Sequence, residues 1–173
     1  MKLFIFFLLS LLFLEAPSCE AESLIQETCK KASQVNYTLC ITALESDPRS
    51  PTADLAGLGS ISIGLSLANA TQTWSHIQKM LKSGQFDSYD RARLEDCLEL
   101  YSEAISDLTE SLTALKGESY MDVNVQVSAA MTDSVTCEDG FKEKEGRVSP
   151  LTEENYYLSQ LGSIALAIVA RLR

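Results

Sequence analysis

Apolar positions recur at intervals of three and four along most of the chain, most clearly in the series Leu94, Cys97, Leu98, Tyr101, Ala104, Ile105, Leu108, Leu112 and Leu115. One continuous stripe of this kind predicts a long amphipathic helix. Asp87 or Ser88 is placed to cap its start, Lys116 to sit in its last turn, and Gly117 to supply a left-handed stop. Upstream, Ser50-Pro51 sets a capping hydroxyl before a proline at the first helical position. There Leu55, Leu58, Ser62, Leu65, Asn69 and Gln72 share a face with Ile61 and Ala68, and the helix is expected to end near Gly84. Gly57, Gly59 and Gly64 each weaken that helix by up to about 1 kcal/mol relative to Ala, so they predict the close approach of a neighbouring helix.

Val123, Val125 and Val127 alternate as in a strand, yet Tyr120, Val123, Val127, Ala130, Met131, Ser134, Cys137 and Phe141 hold helical spacing over a longer stretch. The longer pattern decides for a helix. Ser149-Pro150 reads as a second capped start, opening a last helix striped by Leu158, Leu161, Ala165, Ile168 and Leu172. Four long helices with short connections predict an all-α, up-and-down four-helix bundle over residues 50–173. Residues 22–48 form a smaller N-terminal helical hairpin extension to it.

The chain opens differently. Lys2 precedes an apolar run from Leu3 to Leu14, followed by Glu15-Ala16-Pro17 and small residues, which is the layout of a secretory signal peptide over residues 1–21. Cleavage is expected after Ala21, with Ser18 the other candidate. The run is short of the roughly 20 residues a membrane span requires, so the mature chain, residues 22–173, is expected to be soluble and free of the membrane. Cys29, Cys40, Cys97 and Cys137 then remain in an oxidising compartment. Of the three pairings open to them the simplest is sequential, Cys29–Cys40 and Cys97–Cys137. The second would staple two antiparallel helices across the core, since both cysteines lie on inward faces. Each bridge should contribute on the order of 3 to 4 kcal/mol by restricting the unfolded chain. Secretion also gives meaning to two glycosylation triplets, Asn36-Tyr37-Thr38 and Asn69-Ala70-Thr71.

Composition narrows the function. The 173 residues carry a formal charge of −10, with 46% apolar and 22% charged residues, which suits a single globular domain and opposes nucleic-acid binding. No cofactor or metal is expected. The cysteines form no CxxC pair, and His76 is the one imidazole. Gly57-Leu58-Gly59 follows no strand and lacks the Lys-Ser/Thr of a phosphate loop. His76 has no glycine-framed serine near it, and Glu138 and Asp139, about 100° apart on a helix, read as part of a solvated acidic face. The run Lys142-Glu143-Lys144-Glu145-Gly146 reads as a solvated loop. Without a nucleophile, metal cluster or phosphate loop the chain is not an enzyme on this reading; it acts by binding.

The four-cysteine layout, Leu44-Glu45-Ser46-Asp47-Pro48-Arg49-Ser50, Leu55-Ala56-Gly57-Leu58-Gly59, Ser128-Ala129-Ala130 and Thr136-Cys137-Glu138-Asp139 together resemble the plant invertase/pectin methylesterase inhibitor family. The run Asp133 to Lys144, followed by Val148-Ser149-Pro150, is particularly similar to plane-tree pollen allergens of that family. The resemblance covers essentially the whole mature chain. It implies a four-helix bundle with an N-terminal hairpin, the two sequential disulfides, and secretion into the apoplast. It further implies one-to-one inhibition of a wall enzyme, either pectin methylesterase or acid invertase. Well-studied cell-wall invertase inhibitors carry Pro-Lys-Phe between the second and third bundle helices. Here that connection reads Gly117-Glu118-Ser119-Tyr120-Met121, which tilts the reading slightly toward pectin methylesterase. Carboxylates on the bundle would mimic a polygalacturonate substrate, with Thr113, Tyr120, Asp122 and Asn124 as contacts and a binding that weakens as pH rises. The reading from another class is a non-inhibitory helical carrier or pollen surface protein.

Overall fold

The computed structural model describes residues 22–172. The signal peptide expected at residues 1–21 lies outside them. Six α-helices make up the described residues, with no strand among them: α1 Leu24–Lys31, α2 Tyr37–Glu45, α3 Leu55–Ser83, α4 Ser88–Lys116, α5 Tyr120–Lys142 and α6 Thr152–Val169. Helices α3 to α6 pack in a closed ring in which α3 touches α4, α4 touches α5, α5 touches α6, and α6 returns to α3. This is the expected four-helix bundle.

Two apolar clusters hold it together. The larger runs up the bundle axis through Ile77, Leu94, Tyr101, Leu108, Val127, Phe141, Leu158 and Ala165, all essentially without solvent contact. The smaller joins Ile25, Cys29, Cys40 and Leu44 of the hairpin to Leu58 and Ile61 of α3 and to Leu161, Ile164 and Ile168 of α6. The hairpin therefore seats on the α3–α6 side and leaves the α4–α5 side open. Cys29 is bridged to Cys40 with their Cα atoms 5.7 Å apart, and Cys97 is bridged to Cys137 at 4.9 Å. Bridges across 11 and 40 positions correspond to about 3 and about 4 kcal/mol by loop-closure entropy.

Several details depart from the periodicity. Ser50-Pro51 does not open the long helix: Ser50–Thr52 is a single 3-10 turn, Ala53 is extended, and α3 starts at Leu55. Its cap is Asp54, whose carboxylate accepts the Gly57 N–H at 2.7 Å, a stronger acceptor than a serine hydroxyl. Ser149-Pro150 likewise precedes α6 without starting it. The Ser149 hydroxyl accepts the Leu151 N–H at 3.1 Å inside a turn, and the helix begins at Thr152.

The buried face of α3 is also rotated from expectation. Ser62, Ile63, Ser66, Ala70, Thr73 and Ile77 face inward, whereas Ala68 and Gln72 are exposed. Small hydroxyl residues count as core here because each donates to a carbonyl: Ser62 to Leu161 O at 3.1 Å, Ser66 to Ser62 O at 3.0 Å, Thr73 to Asn69 O at 3.0 Å. Of the three helix glycines, Gly59 alone meets a neighbouring helix, a Cβ there standing 3.2 Å from Ile168 Cγ2. Gly57 makes room for the cap beneath it, and Gly64 faces no atom within 4 Å.

Gly117 is not the left-handed residue. Its φ is −87°, and the following residue, Glu118, carries a φ of 56°. Ser119 N–H reaches Ala114 O at 2.9 Å and Glu118 N–H reaches Leu115 O at 3.1 Å, so α4 closes one residue later than a glycine stop would place it. At the other end of the bundle the supposed solvated loop begins inside α5, which runs to Lys142. Lys144 then lies over the Tyr89 ring, 4.9 Å from its centroid. Arg147 bonds Asp90 Oδ2 at 2.8 Å and also reaches Asp87, tying the loop to the start of α4.

Candidate functional site

The α4–α5 turn brings the last turns of one amphipathic helix beside the first turns of the next, and the carboxylates Glu110, Glu118 and Asp122 project outward there among Thr113, Ser119 and the exposed apolar side chains of Met121 and Val125. From Glu99 to Val135 the sequence contains Lys116 as its one cation against Glu99, Glu103, Asp107, Glu110, Glu118, Asp122 and Asp133. Thr113 and Asp122 line one open depression of about 440 Å³, together with Glu110, Ala114, Gly117, Ser119 and Gln126. Gln126 Nε2 donates to Glu110 Oε2 at 3.0 Å and holds that carboxylate across the helix pair. Tyr120 instead packs half-buried against the main cluster, and Asn124 is half-buried without lining the depression. The fold thus joins two of the four residues singled out in the sequence and separates the other two.

Carboxylates also crowd one another further along the same pair of helices, toward their middles. Burial, then the charges of Asp107 and Glu103, push the Asp133 carboxyl up to about 6. Asp107 is raised by burial and by Glu110 and Glu103. A surface that crowds carboxylates in this way attracts a cationic partner and repels an anionic one.

A second concavity, which periodicity did not reveal, lies between α5 and α6. It is a groove of about 280 Å³ bordered by Ser134, Val135, Glu138, Tyr156 and Ser159. Glu138 is not on a solvated acidic face as the sequence suggested. Its Oε1 accepts from Thr152 Oγ1 at 3.0 Å and its Oε2 from Asn155 Nδ2 at 2.9 Å. Asn155 Oδ1 in turn accepts from the Tyr101 hydroxyl at 2.8 Å in the bundle centre. Burial pushes the Tyr101 phenol well above its ordinary range, so it stays a neutral donor. The available signal was Asn155, a polar residue at an inward position one turn before Leu158.

Nothing in these surfaces assembles a reaction centre. His76 lies on α3 with its Nδ1 3.1 Å from Glu154 Oε1, while the Ser134 and Ser159 hydroxyls between α5 and α6 bond to each other at 3.1 Å. No group of three His, Cys, Asp or Glu side chains among the described residues is arranged to hold a metal ion. No described helix is long and apolar enough to cross a membrane.

Residues 23–168 match the family described as plant invertase/pectin methylesterase inhibitor. This chain belongs to that family. Its relatives include a protein of Platanus acerifolia named "Putative invertase inhibitor", 45% identical over 99% of this chain and 96% of the relative. Another is a pectinesterase inhibitor of Actinidia deliciosa, 39% identical over 96% of this chain and 91% of the relative. Among solved structures, a mutant form of a pectin methylesterase inhibitor from Arabidopsis superposes with a TM-score of 0.74 at 26% identity, covering 86% of this chain and 98% of that one. Members of the family are inhibitors, not enzymes. For an inhibitor of this family the open α4–α5 side is the informative surface, because the hairpin already covers the α3–α6 side.

Proposed function

We propose that this chain is secreted into the apoplast as its 22–173 form and there inhibits a cell-wall carbohydrate-acting enzyme, pectin methylesterase, by non-covalent one-to-one occlusion of the active-site groove. The observation that carries this reading is the α4–α5 end: an acidic, open depression on the side of the bundle that the hairpin leaves bare. A groove built for polygalacturonate expects carboxylates, and Glu110 of α4, Asp122 of α5 and Glu118 of the turn between them present these on a helix pair whose geometry is set by the main core. Thr113 adds a hydroxyl, while Tyr120 stiffens the turn from beneath, and Asn124 flanks it. A standard interface of roughly 800 Å² per partner is within reach of one bundle side. The connection Gly117-Glu118-Ser119 is a tight turn without a cation or a proline, which disfavours insertion into a sucrose site.

A second reading, inhibition of acid invertase, is favoured by the extent of the likeness to the Platanus acerifolia relative. The deciding experiment titrates the oxidised protein against a plant pectin methylesterase and an acid invertase in parallel at apoplastic pH. Loss of esterase activity at near-equimolar ratio, with invertase untouched, is the expected result. Loss of invertase activity alone transfers the reading to the second enzyme, and silence on both overturns the inhibitor reading in favour of a non-inhibitory carrier.

A further inference from the structure

The fold treats the two Asn-X-Thr triplets unequally. Asn36 is exposed at the start of α2, where its Oδ1 accepts the Leu39 N–H at 3.0 Å as the helix cap. Its own backbone N–H donates to Gln160 Oε1 of α6 at 2.9 Å, which fixes the position of the turn. Because the amide is planar and its oxygen is held toward the helix, Nδ2 is directed away from it, toward solvent. Tyr37 and Thr38 are exposed as well.

Asn69 sits in the middle of α3. Its Oδ1 is shut off from solvent with no hydrogen-bond partner, beside Gln72, Thr73, His76 and Glu154. Ala70, which follows it, is fully buried, and the Thr71 hydroxyl is turned back to Leu67 O at 2.8 Å. A sugar on Asn69 would have to draw this side chain out of the α3–α6 seam.

We propose that Asn36 is an N-glycosylation site and that Asn69 stays unmodified. This rests on the secretion reading above, because the donor, a lipid-pyrophosphate-linked oligosaccharide, is met only in the secretory pathway. Asn36 Nδ2 loses a proton and bonds to the anomeric carbon of the oligosaccharide. The bond from that carbon to the pyrophosphate oxygen breaks, and the lipid pyrophosphate leaves with the balancing proton; nothing is oxidised or reduced. The glycan projects from the hairpin on the α3–α6 side of the bundle, so it leaves the α4–α5 depression uncovered.

The test expresses the full chain in a eukaryotic secretory host and, in a parallel arm, residues 22–173 behind a heterologous leader. Secreted protein is analysed by intact mass before and after glycan release, with the modified peptide mapped. One glycan is expected, lost in Thr38→Ala and retained in Thr71→Ala. Thr38→Ala removes the hydroxyl that the triplet requires while sparing the Asn36 cap, so the variant folds. An unmodified secreted protein, or a glycan mapped to Asn69, overturns the proposal. If the native chain stays inside the cell while the leader-swapped chain emerges with its single glycan on Asn36, the secretion reading fails and the site assignment stands.

Discussion

Gly162 of α6 lies directly against the Met131 side chain of α5: a Cβ at position 162 would stand 2.6 Å from Met131 Sδ and closer still to its Cγ. The two helices approach over this glycine, and the α5–α6 groove with its Glu138 network opens a turn further along. Gly162→Ala is expected to destabilise the fold by about 1 to 2 kcal/mol, overpacking outweighing the roughly 1 kcal/mol of helix propensity that alanine gains. Urea unfolding measures it. Adding Met131→Ala, which frees the space, should make the glycine substitution neutral or favourable, and a cost that persists would show that Met131 is not the obstacle.

Tyr101→Phe leaves Asn155 Oδ1 without its buried donor. A loss of about 1 to 2 kcal/mol is expected, against near-neutrality if the hydroxyl contributed nothing net. Chemical denaturation of the variant distinguishes them, and the proposed inhibition should be the same in variant and native chain because the phenol is internal.

Glu118 holds a φ of 56° with an ordinary side chain. Glu118→Gly should therefore raise stability by up to about 1 kcal/mol, since glycine takes this conformation freely. If the turn also contacts the enzyme, the same substitution raises the melting temperature and lowers inhibition. A parallel rise of both would remove Glu118 from the interface.

Asp133, with its carboxyl raised to about 6 against an ordinary value of 3.8, holds its proton more tightly in the folded chain. Stability from this group is fully present below pH 3.8 and is lost as pH rises through about 6. Solvent screening of a half-buried group limits the loss to about 1 kcal/mol. Asp133→Asn should flatten the fall between pH 4 and 6.5 in a denaturation series. Asp47, lowered to about 2 by hydrogen bonds from Arg49, works in the opposite sense and in a lower window: its contribution is present above pH 3.8 and disappears as pH falls toward 2. An Asp133→Asn profile parallel to that of the native chain would contradict the assignment.

Reversing charge at the depression tests the interaction side. Asp122→Lys combined with Glu110→Lys should slow association with the target enzyme by about threefold to tenfold at low salt, with the difference shrinking as salt is raised. Stopped-flow inhibition kinetics reads this directly. Rates equal to the native chain at every ionic strength would place the contact elsewhere.

Much of this architecture was legible in the chain itself. Stripes such as Leu94 to Leu115 and Tyr120 to Phe141 specify helices, because a 3.6-residue period aligns apolar side chains on one face, and short connections leave adjacent antiparallel packing as the compact solution. Local chemistry is less legible wherever two neighbouring residues could serve the same helix end. Asp54 took the cap from Ser50, and Glu118 took the left-handed position beside Gly117. Hydrophobicity alone could not orient α3, whose inward face relies on Ser62, Ser66 and Thr73 bonded to carbonyls. Contacts between distant residues have no local signature of their partner, even where a polar Asn155 at an inward position signals that one is needed: Glu138 with Asn155 and Tyr101, Gly162 under Met131, and Asn36 against Gln160 arise only when helices remote in sequence are brought side by side. Periodicity determines which face is buried in helices with an unbroken apolar stripe, such as α4 and α5; which residue of another helix meets that face depends on the rotation and axial offset of the packed pair, and those are set by the core as a whole.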